Sequence, residues 1–428
     1  MQADLSPADG GNGNSTAEGR RFRGAENGKG RWIGMKGIRR ALSVLTALIL
    51  LCACGAAGGE KTVIPEIRTE SFEVPDNEAL RLIREMKAGW NLGNTFDAYD
   101  CFWVKDPLDY ESAWCGAKTT RELIRALKDA GFRTVRVPVS WHNHLAEDWT
   151  VDPAWMARVH EVVSWVLEEG MYAIVNIHHD CDPRYYYPDA AHAESAERYV
   201  RTIWRQVAEE FAAEDGHLIF ESVNEPRLTG TEHEWWWVAE DASCREAMAR
   251  IVALNQVFVD TVRAAGGNNA ERYLMVPAYD ANPDYACSDQ FTLPEDPAEN
   301  RIIVSAHAYS PYGFALEQPG TDAFSLENPA DCAGVTAWMD NLYRTWVSRG
   351  IPVLIGEFGA MEKNGNLQAR VDWAAFYVAQ ARARGITCCW WDNNLFRGQG
   401  ERFGLFDRAS ARCVTPEILE AILRYCGE

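Results

Sequence analysis

Apolar and polar positions alternate between two rhythms from about residue 78 to residue 426. Short β-rich apolar runs lie at Ala88–Leu92, Thr134–Val137, Tyr172–Ile177, Leu218–Glu221, Tyr273–Val276, Ile302–Ala306, Val353–Ile355 and Thr387–Trp390. Longer amphipathic stretches between them predict helices over Thr119–Ala130, Pro153–Glu169, Ala193–Ala213, Arg245–Ala265, Val335–Arg349 and Leu367–Arg384, with Thr415–Tyr425 after the last strand. Gly131, Gly170, Gly350 and Gly385 each end a helical stretch just before a strand, the place of a left-handed cap. This repeated strand-helix alternation predicts an α/β fold, a (β/α)8 TIM barrel in a single domain. The competing doubly wound sheet lacks its glycine-rich phosphate loop after the first strand.

Upstream the pattern changes. Residues 1–34, rich in Gly, Asn and Arg, precede a better start at Met35 and read as a mis-assigned extension. Met35–Arg40 is basic, Ala41–Leu51 is apolar and too short to span a membrane comfortably, and Leu51-Cys52-Ala53-Cys54 resembles a bacterial lipoprotein cleavage site. A lipoprotein-type signal peptide over 35–54, lipidation of Cys54, a tether over 55–77 and a domain over 78–428 follow as expectations. A plain signal peptide is the alternative. Either leads outside the cell, and the lipid form predicts a secreted protein anchored to the bacterial surface.

Composition narrows the partners. A hydrophobic content of 47% with 24% charged residues fits a water-soluble globular domain. Net charge is −20, and residues 1–54 are themselves basic, so the rest is more acidic still. Nucleic acid would be repelled; a neutral polysaccharide would not. The 17 Trp fit that partner, because indole faces stack on sugar rings, although Trp165 and Trp204 sit in helical patterns and read as core. Disulfides are open to an exported chain, and Cys101 and Cys115 bracket one loop, whereas Cys388-Cys389 read as buried thiols in a strand. The pairing cannot be read.

The polar residues collect where candidate strands end. Arg136 lies in the second, His178-His179-Asp180 follow the third, Asn224-Glu225-Pro226 the fourth, His307 and Tyr309 the sixth, Glu357 the seventh and Trp391-Asp392 the eighth. Catalytic groups of barrels project from that end. Glu225 and Glu357 each emerge from an apolar strand, where a charge must be partnered or functional. A metal reading of His178-His179-Asp180 is weak, because neighbouring strand residues face opposite ways and spacing places no third ligand.

Gly89-Trp90-Asn91-Leu92-Gly93-Asn94-Thr95-Phe96-Asp97-Ala98, Val135-Arg136-Val137-Pro138-Val139-Ser140-Trp141, Asn176-Ile177-His178-His179, Asn224-Glu225-Pro226, His307-Ala308-Tyr309, Gly356-Glu357-Phe358-Gly359 and Trp391-Asp392-Asn393 resemble, in order, the motifs of glycoside hydrolase family 5. The first resembles subfamily 4, which holds endo-β-1,4-glucanases, lichenases and xyloglucanases. The resemblance implies a retaining, endo-acting hydrolase of β-1,4-glucan with Glu357 as nucleophile and Glu225 as acid/base, two carboxyl groups ~5–5.5 Å apart. Arg136 and the Tyr309 hydroxyl would keep Glu357 ionised, and the charge of Glu357 would raise the pKa of Glu225. Asn224 would bond the sugar 2-hydroxyl, and His178 and His307 would orient carboxylates and hydroxyls.

Asn91, His179, Trp141 and Trp391 are candidates for substrate contact, with Trp391 as the floor of the cleaved ring and Trp390 its rival. Trp90 and Trp141 are outer sugar platforms or packing. No cofactor or metal is implied, and the chain is expected to be a monomer that meets a membrane only through its lipid anchor. The same machinery on β-mannan, an inactive surface glycan-binding lipoprotein, and a family 1 β-glucosidase are the alternatives. The last would carry a Thr-Glu-Asn-Gly nucleophile motif, which this chain lacks.

Overall fold

Parallel strands joined by crossovers bury both faces, and a ring of them leaves no edge to protect. Eight such strands close here: β1 (Ala88–Leu92), β2 (Thr134–Val137), β3 (Tyr172–Asn176), β4 (Leu218–Glu221), β5 (Leu274–Pro277), β6 (Ile302–His307), β7 (Val353–Phe358) and β8 (Thr387–Asp392). They follow chain order, all parallel, and β1 pairs with β8 to seal the barrel. The computed structural model describes residues 62–427. The extension, the signal peptide, Cys54 and the first part of the tether lie outside the described residues.

The longer helices are α1 (Glu78–Met86), α2 (Arg121–Ala130), α3 (Pro153–Glu168), α4 (Ala193–Glu210), α5 (Ala242–Ala264), α6 (Pro329–Thr345), α7 (Leu367–Ala383) and α8 (Pro416–Tyr425). Side-chain caps set several starts: Thr120 accepts from Leu123 N, Asp152 from Ala154 N, Asp241 from Ser243 N, and Asn328 from Ala330 N. The Asn328 cap, with Pro329 in the first turn, starts α6 six residues before the apolar periodicity does. The four helix-ending glycines adopt φ of 115°, 68°, 87° and 75°, as the cap requires. One alternation fails. β5 and β6 are joined by the single turns Tyr279–Ala281 and Tyr285–Cys287 with no α-helix between them.

The parallel register stacks the barrel interior in layers. Ile174, Ile219, Met275, Ile303, Leu354 and Cys389 form an apolar layer, closed from below by Ala79, Leu82, Ile83 and Met86 of α1. Two residues after Ile174, Ile219 and Ile303 come the buried polar Asn176, Glu221 and Ser305, joined by Asn91 of β1 and Arg136 of β2. Outward-facing residues such as Trp90, Val135, Val175, Phe220 and Trp390 pack against the helices in the main core.

β6, β7 and β8 run one to three residues further than the apolar runs do, because His307, Glu357 and Asp392 still pair across the sheet. Arg136, His307 and Glu357 therefore stand on strands, whereas His178, Asn224, Glu225 and Tyr309 follow the strand ends. All ten cysteines of the described domain are free thiols, Cys101 and Cys115 included, and Cys388 and Cys389 are buried.

The described part of the expected tether, 62–77, lies against the domain. Ile64, Ile67 and Val74 pack on the core, Ile67 N donates to the Tyr425 hydroxyl (2.9 Å), and Arg384 stacks over Phe72 at 4.2 Å.

Candidate active site

A guanidinium has five N–H donors and no acceptor, so a buried Arg organises whatever accepts from it. Arg136, on β2, is completely buried. Its Nε donates to Glu221 (2.7 Å), its Nη1 to Glu357 (2.8 Å) and Asn91 (2.9 Å), and its Nη2 to Asn224 (2.7 Å). Nη2 also lies 3.4 Å from His307 Nε2. Burial alone would lower its pKa, but the charges of Glu221 and Glu357 outweigh that and hold it above the usual arginine value.

Glu357 receives a second donor, the Tyr309 hydroxyl at 2.9 Å. Gly356 makes the approach possible: a Cβ there would lie 2.8 Å from His307 Nε2. Across the cleft, Glu225 Oε1 faces His307 Nδ1 at 2.8 Å, and Oε2 lies 3.3 Å from Arg227 Nη1. Oxygens of Glu225 and Glu357 approach to within 4.8 Å of each other, with His307 beside both.

The charge of Glu357 was expected to raise the pKa of Glu225, and the direction is opposite. Burial does raise it, but the His307 hydrogen bond and the positive charges of His307, Arg227 and His179 outweigh burial and draw the carboxyl down to about 2. Burial lowers the His307 pKa, but the charge of Glu357 and the hydrogen bond to Glu225 outweigh it and raise it, and its Nδ1–H points to Glu225 Oε1. Sequence spacing placed neither Arg227 nor this contact.

His178 is buried, and its Nδ1 accepts from Asn176 Nδ2 (3.1 Å), which turns Nε2 toward Glu357 at 4.0 Å. Burial and neighbouring positive charges hold it neutral. Its ring lies parallel to Trp391, 2° from coplanar with centroids 5.8 Å apart. Trp391 faces the cleft over Gly93, where a Cβ would come 2.7 Å from the indole. Trp390 points outward, donates to Phe403 O and packs on Phe358 and Trp373. Asn224 gives its Oδ1 to Arg136, which turns its amide nitrogen away from the guanidinium.

Two substrate-contact expectations fail. Asn91 is fully buried, with its amide donating to Gly356 O (2.8 Å) and its oxygen held by Arg136. Trp141 is also fully buried and donates to Asn176 O (3.0 Å). Neither has a face left for sugar, and Trp90 is packing for the same reason. His179, by contrast, keeps 29% of its side chain exposed, 4.0 Å from Asp97 and flanked by the rings of Tyr99 and Trp114.

The His178-His179-Asp180 metal set does not assemble. Asp180 turns to the Trp141 amide, His142 and the Tyr199 hydroxyl. Asp97 stands near the histidines instead, but its oxygens already accept from Asn94 N (2.9 Å) and Thr95 N (2.6 Å). Sequence reasoning also missed Glu221. The available signal was an acid at an inward strand position two residues after Ile219, which had to find a buried cation.

The family model described as Cellulase (glycosyl hydrolase family 5) matches residues 97–396. Endoglucanase B of Neocallimastix patriciarum is 40% identical over 352 residues, 81% of this chain and 71% of that protein. Among solved structures, a family 5 lichenase from Caldicellulosiruptor sp. F32 superposes with a TM-score of 0.84 at 52% identity, covering 86% of this chain and 100% of that one. A subfamily 4 broad-specificity endoglucanase from Ruminococcus champanellensis, solved with bound cellotriose, gives 0.76 at 42% identity, covering 82% and 100%.

Proposed function

The chain belongs to the cellulase family, glycoside hydrolase family 5, and from that we propose that it hydrolyses internal β-1,4 bonds of a glucan, with Glu357 as nucleophile and Glu225 as acid/base. The observation that carries the role assignment is the approach of the two carboxylates to within 4.8 Å, each with its own donors. A gap that small admits a covalent intermediate and leaves too little room for an inverting water. Glu357 attacks the anomeric carbon while Glu225 gives a proton to the departing oxygen. Water then attacks the glycosyl ester, Glu225 takes its proton, and Glu357 is released. Arg136 and Tyr309 hold the attacking carboxylate in line. Trp391 forms the floor of the ring's subsite, and the Asn224 amide nitrogen meets its 2-hydroxyl.

The substrate class is cellulose-like, mixed-linkage or xyloglucan chains. The fully assembled set around Arg136 argues against a binding protein that has lost catalysis. Incubation with carboxymethylcellulose, barley glucan, xyloglucan and mannan should release oligosaccharides from the glucans, and Glu357→Gln should abolish release. Cleavage of mannan alone would reassign the substrate, and an active Glu357→Gln enzyme would remove the nucleophile assignment. We also propose export and anchorage through Cys54, on the strength of residues 35–54. Radiolabelled palmitate should enter the wild-type chain and not Cys54→Ala.

A further inference from the structure

The loop after β4 is pinned to the turn after β5. Asp280 N donates to Pro226 O (2.9 Å), and Leu228 N donates to the Tyr279 hydroxyl (3.0 Å). The pinning places Arg227 between three carboxylates. Its Nη1 lies 3.3 Å from Glu225 Oε2 and 3.7 Å from Asp280 Oδ1, and its Nε lies 3.8 Å from Glu234. The guanidinium stacks on Trp235 at 4.1 Å, so its plane is fixed while its partner is not. Asp280 Oδ1 is buried with no hydrogen-bond partner, and the residue sits at φ 54°. An unpartnered buried carboxylate oxygen in a left-handed conformation costs stability and calls for a reason.

The two oxygens of Glu225 have separate duties. Oε1 is occupied by His307 Nδ1–H, so the proton given to the leaving group must sit on Oε2, the oxygen Arg227 faces. We propose that Arg227 and Asp280 are positioning residues for Glu225: the guanidinium lies against Glu225 while it is a carboxylate and turns to Asp280 while Glu225 holds the catalytic proton. In the first step that proton passes from Oε2 to the glycosidic oxygen, which also takes the electron pair of the broken C–O bond. In the second it returns to Oε2 from the attacking water. Arg227 follows the charge each time, and Asp280 holds it in the interval. This rests on the reading of Glu225 as acid/base.

The charges around the pair agree. Burial and then the charge of Glu225 push the Asp280 carboxyl well above the usual range, so the two acids behave as a dyad across one guanidinium. His179, His307, Tyr309, Glu357 and Glu401 also face Glu225. Among the described residues, Asp280 and Glu234 are the other carboxylates paired with Arg227, whose Nη1 also donates to the Glu225 backbone carbonyl (2.9 Å).

The test is the pH profile of kcat/KM on cellotetraose and on 2,4-dinitrophenyl β-cellobioside, whose leaving group needs no acid. Asp280→Asn keeps the shape and tolerates a positive φ. It removes the like charge and leaves Arg227 to Glu225, so the alkaline limb for cellotetraose should fall by about one pH unit, with the aryl substrate unaffected. Arg227→Gln should move the limb the other way, and Arg227→Lys should largely restore it. Equal losses on both substrates with an unmoved limb in the Asp280→Asn and Arg227→Gln enzymes would overturn the inference. Glu225→Ala separates the two claims. If it keeps the wild-type limb, the acid/base reading fails; if it loses the limb while the other two leave it in place, only the Arg227–Asp280 device fails.

Discussion

Arg136 Nε donates to Glu221 at 2.7 Å, and neither side chain is reached by solvent. Glu221 also accepts from Asn176 (3.0 Å) and from the Ser305 hydroxyl, so its carboxylate is fully used three strands away from the nucleophile's own strand. Removing one partner of such a pair leaves a buried charge uncompensated. Glu221→Gln should therefore lower stability by about 3–5 kcal/mol and reduce kcat, because Arg136 also holds Glu357. Urea unfolding and kcat on one glucan check this, and unchanged stability would mean that Arg136 needs only Glu357.

Gly93 lets the Trp391 indole lie where it does, with a Cβ expected 2.7 Å from the ring. Gly93→Ala should tilt the floor of the cleft and lower kcat/KM by about 10²-fold, while the melting temperature changes little. A large fall in melting temperature with kcat intact would point to a scaffold role instead.

His144 stacks on Trp155 with centroids 3.6 Å apart, and both its ring nitrogens are buried without a partner. Burial depresses its pKa to about 3. The unfolded chain then binds a proton that the folded one refuses between its ordinary value and pH 3. The stability of the neutral form is complete above about 6.5 and is lost as pH falls through that window, by up to ~1.4 kcal/mol per pH unit. His144→Phe, which keeps the stack, should flatten the acid side of a pH–stability curve measured by denaturant melts.

Residues 62–77 contribute contacts as well as length. The Tyr425 hydroxyl donates to Pro65 O (2.6 Å), and Tyr343 donates to Glu73 O (2.8 Å). A chain beginning at Asn77 should melt several degrees lower than one beginning at Thr62. Equal melting temperatures would reduce this segment to a spacer.

Much of this was legible beforehand for a definite reason. Strand-forming runs such as Tyr172–Asn176 are local, and a barrel places each run's last polar residue at one end, so His178, Glu225 and Glu357 could be grouped without coordinates. What stayed hidden depends on partners far along the chain. Asn91 and Trp141 stood as candidates for substrate contact because a polar or aromatic residue beside a cleft does not reveal which of its atoms the protein itself occupies. The lowered pKa of Glu225 comes from His307 and Arg227, and only the assembled loops bring both to the same carboxyl. The helix-free connection between β5 and β6 was legible too, since no amphipathic run lies between Val276 and Ile302.

Asn91 lies on β1, yet its amide donates to carbonyls of Gly356 on β7 and of Cys389 and Trp390 on β8, and its oxygen is the one Arg136 holds. The seam where the first and last strands meet is thus stitched by the same side chain that steadies the catalytic guanidinium. During refolding, the Asn91 contacts to both β7 and β8 require β1 to be seated against the last strands. The return of glucan hydrolysis in a refolding sample will time the moment the ring shuts, a step that helix content recorded by circular dichroism passes over.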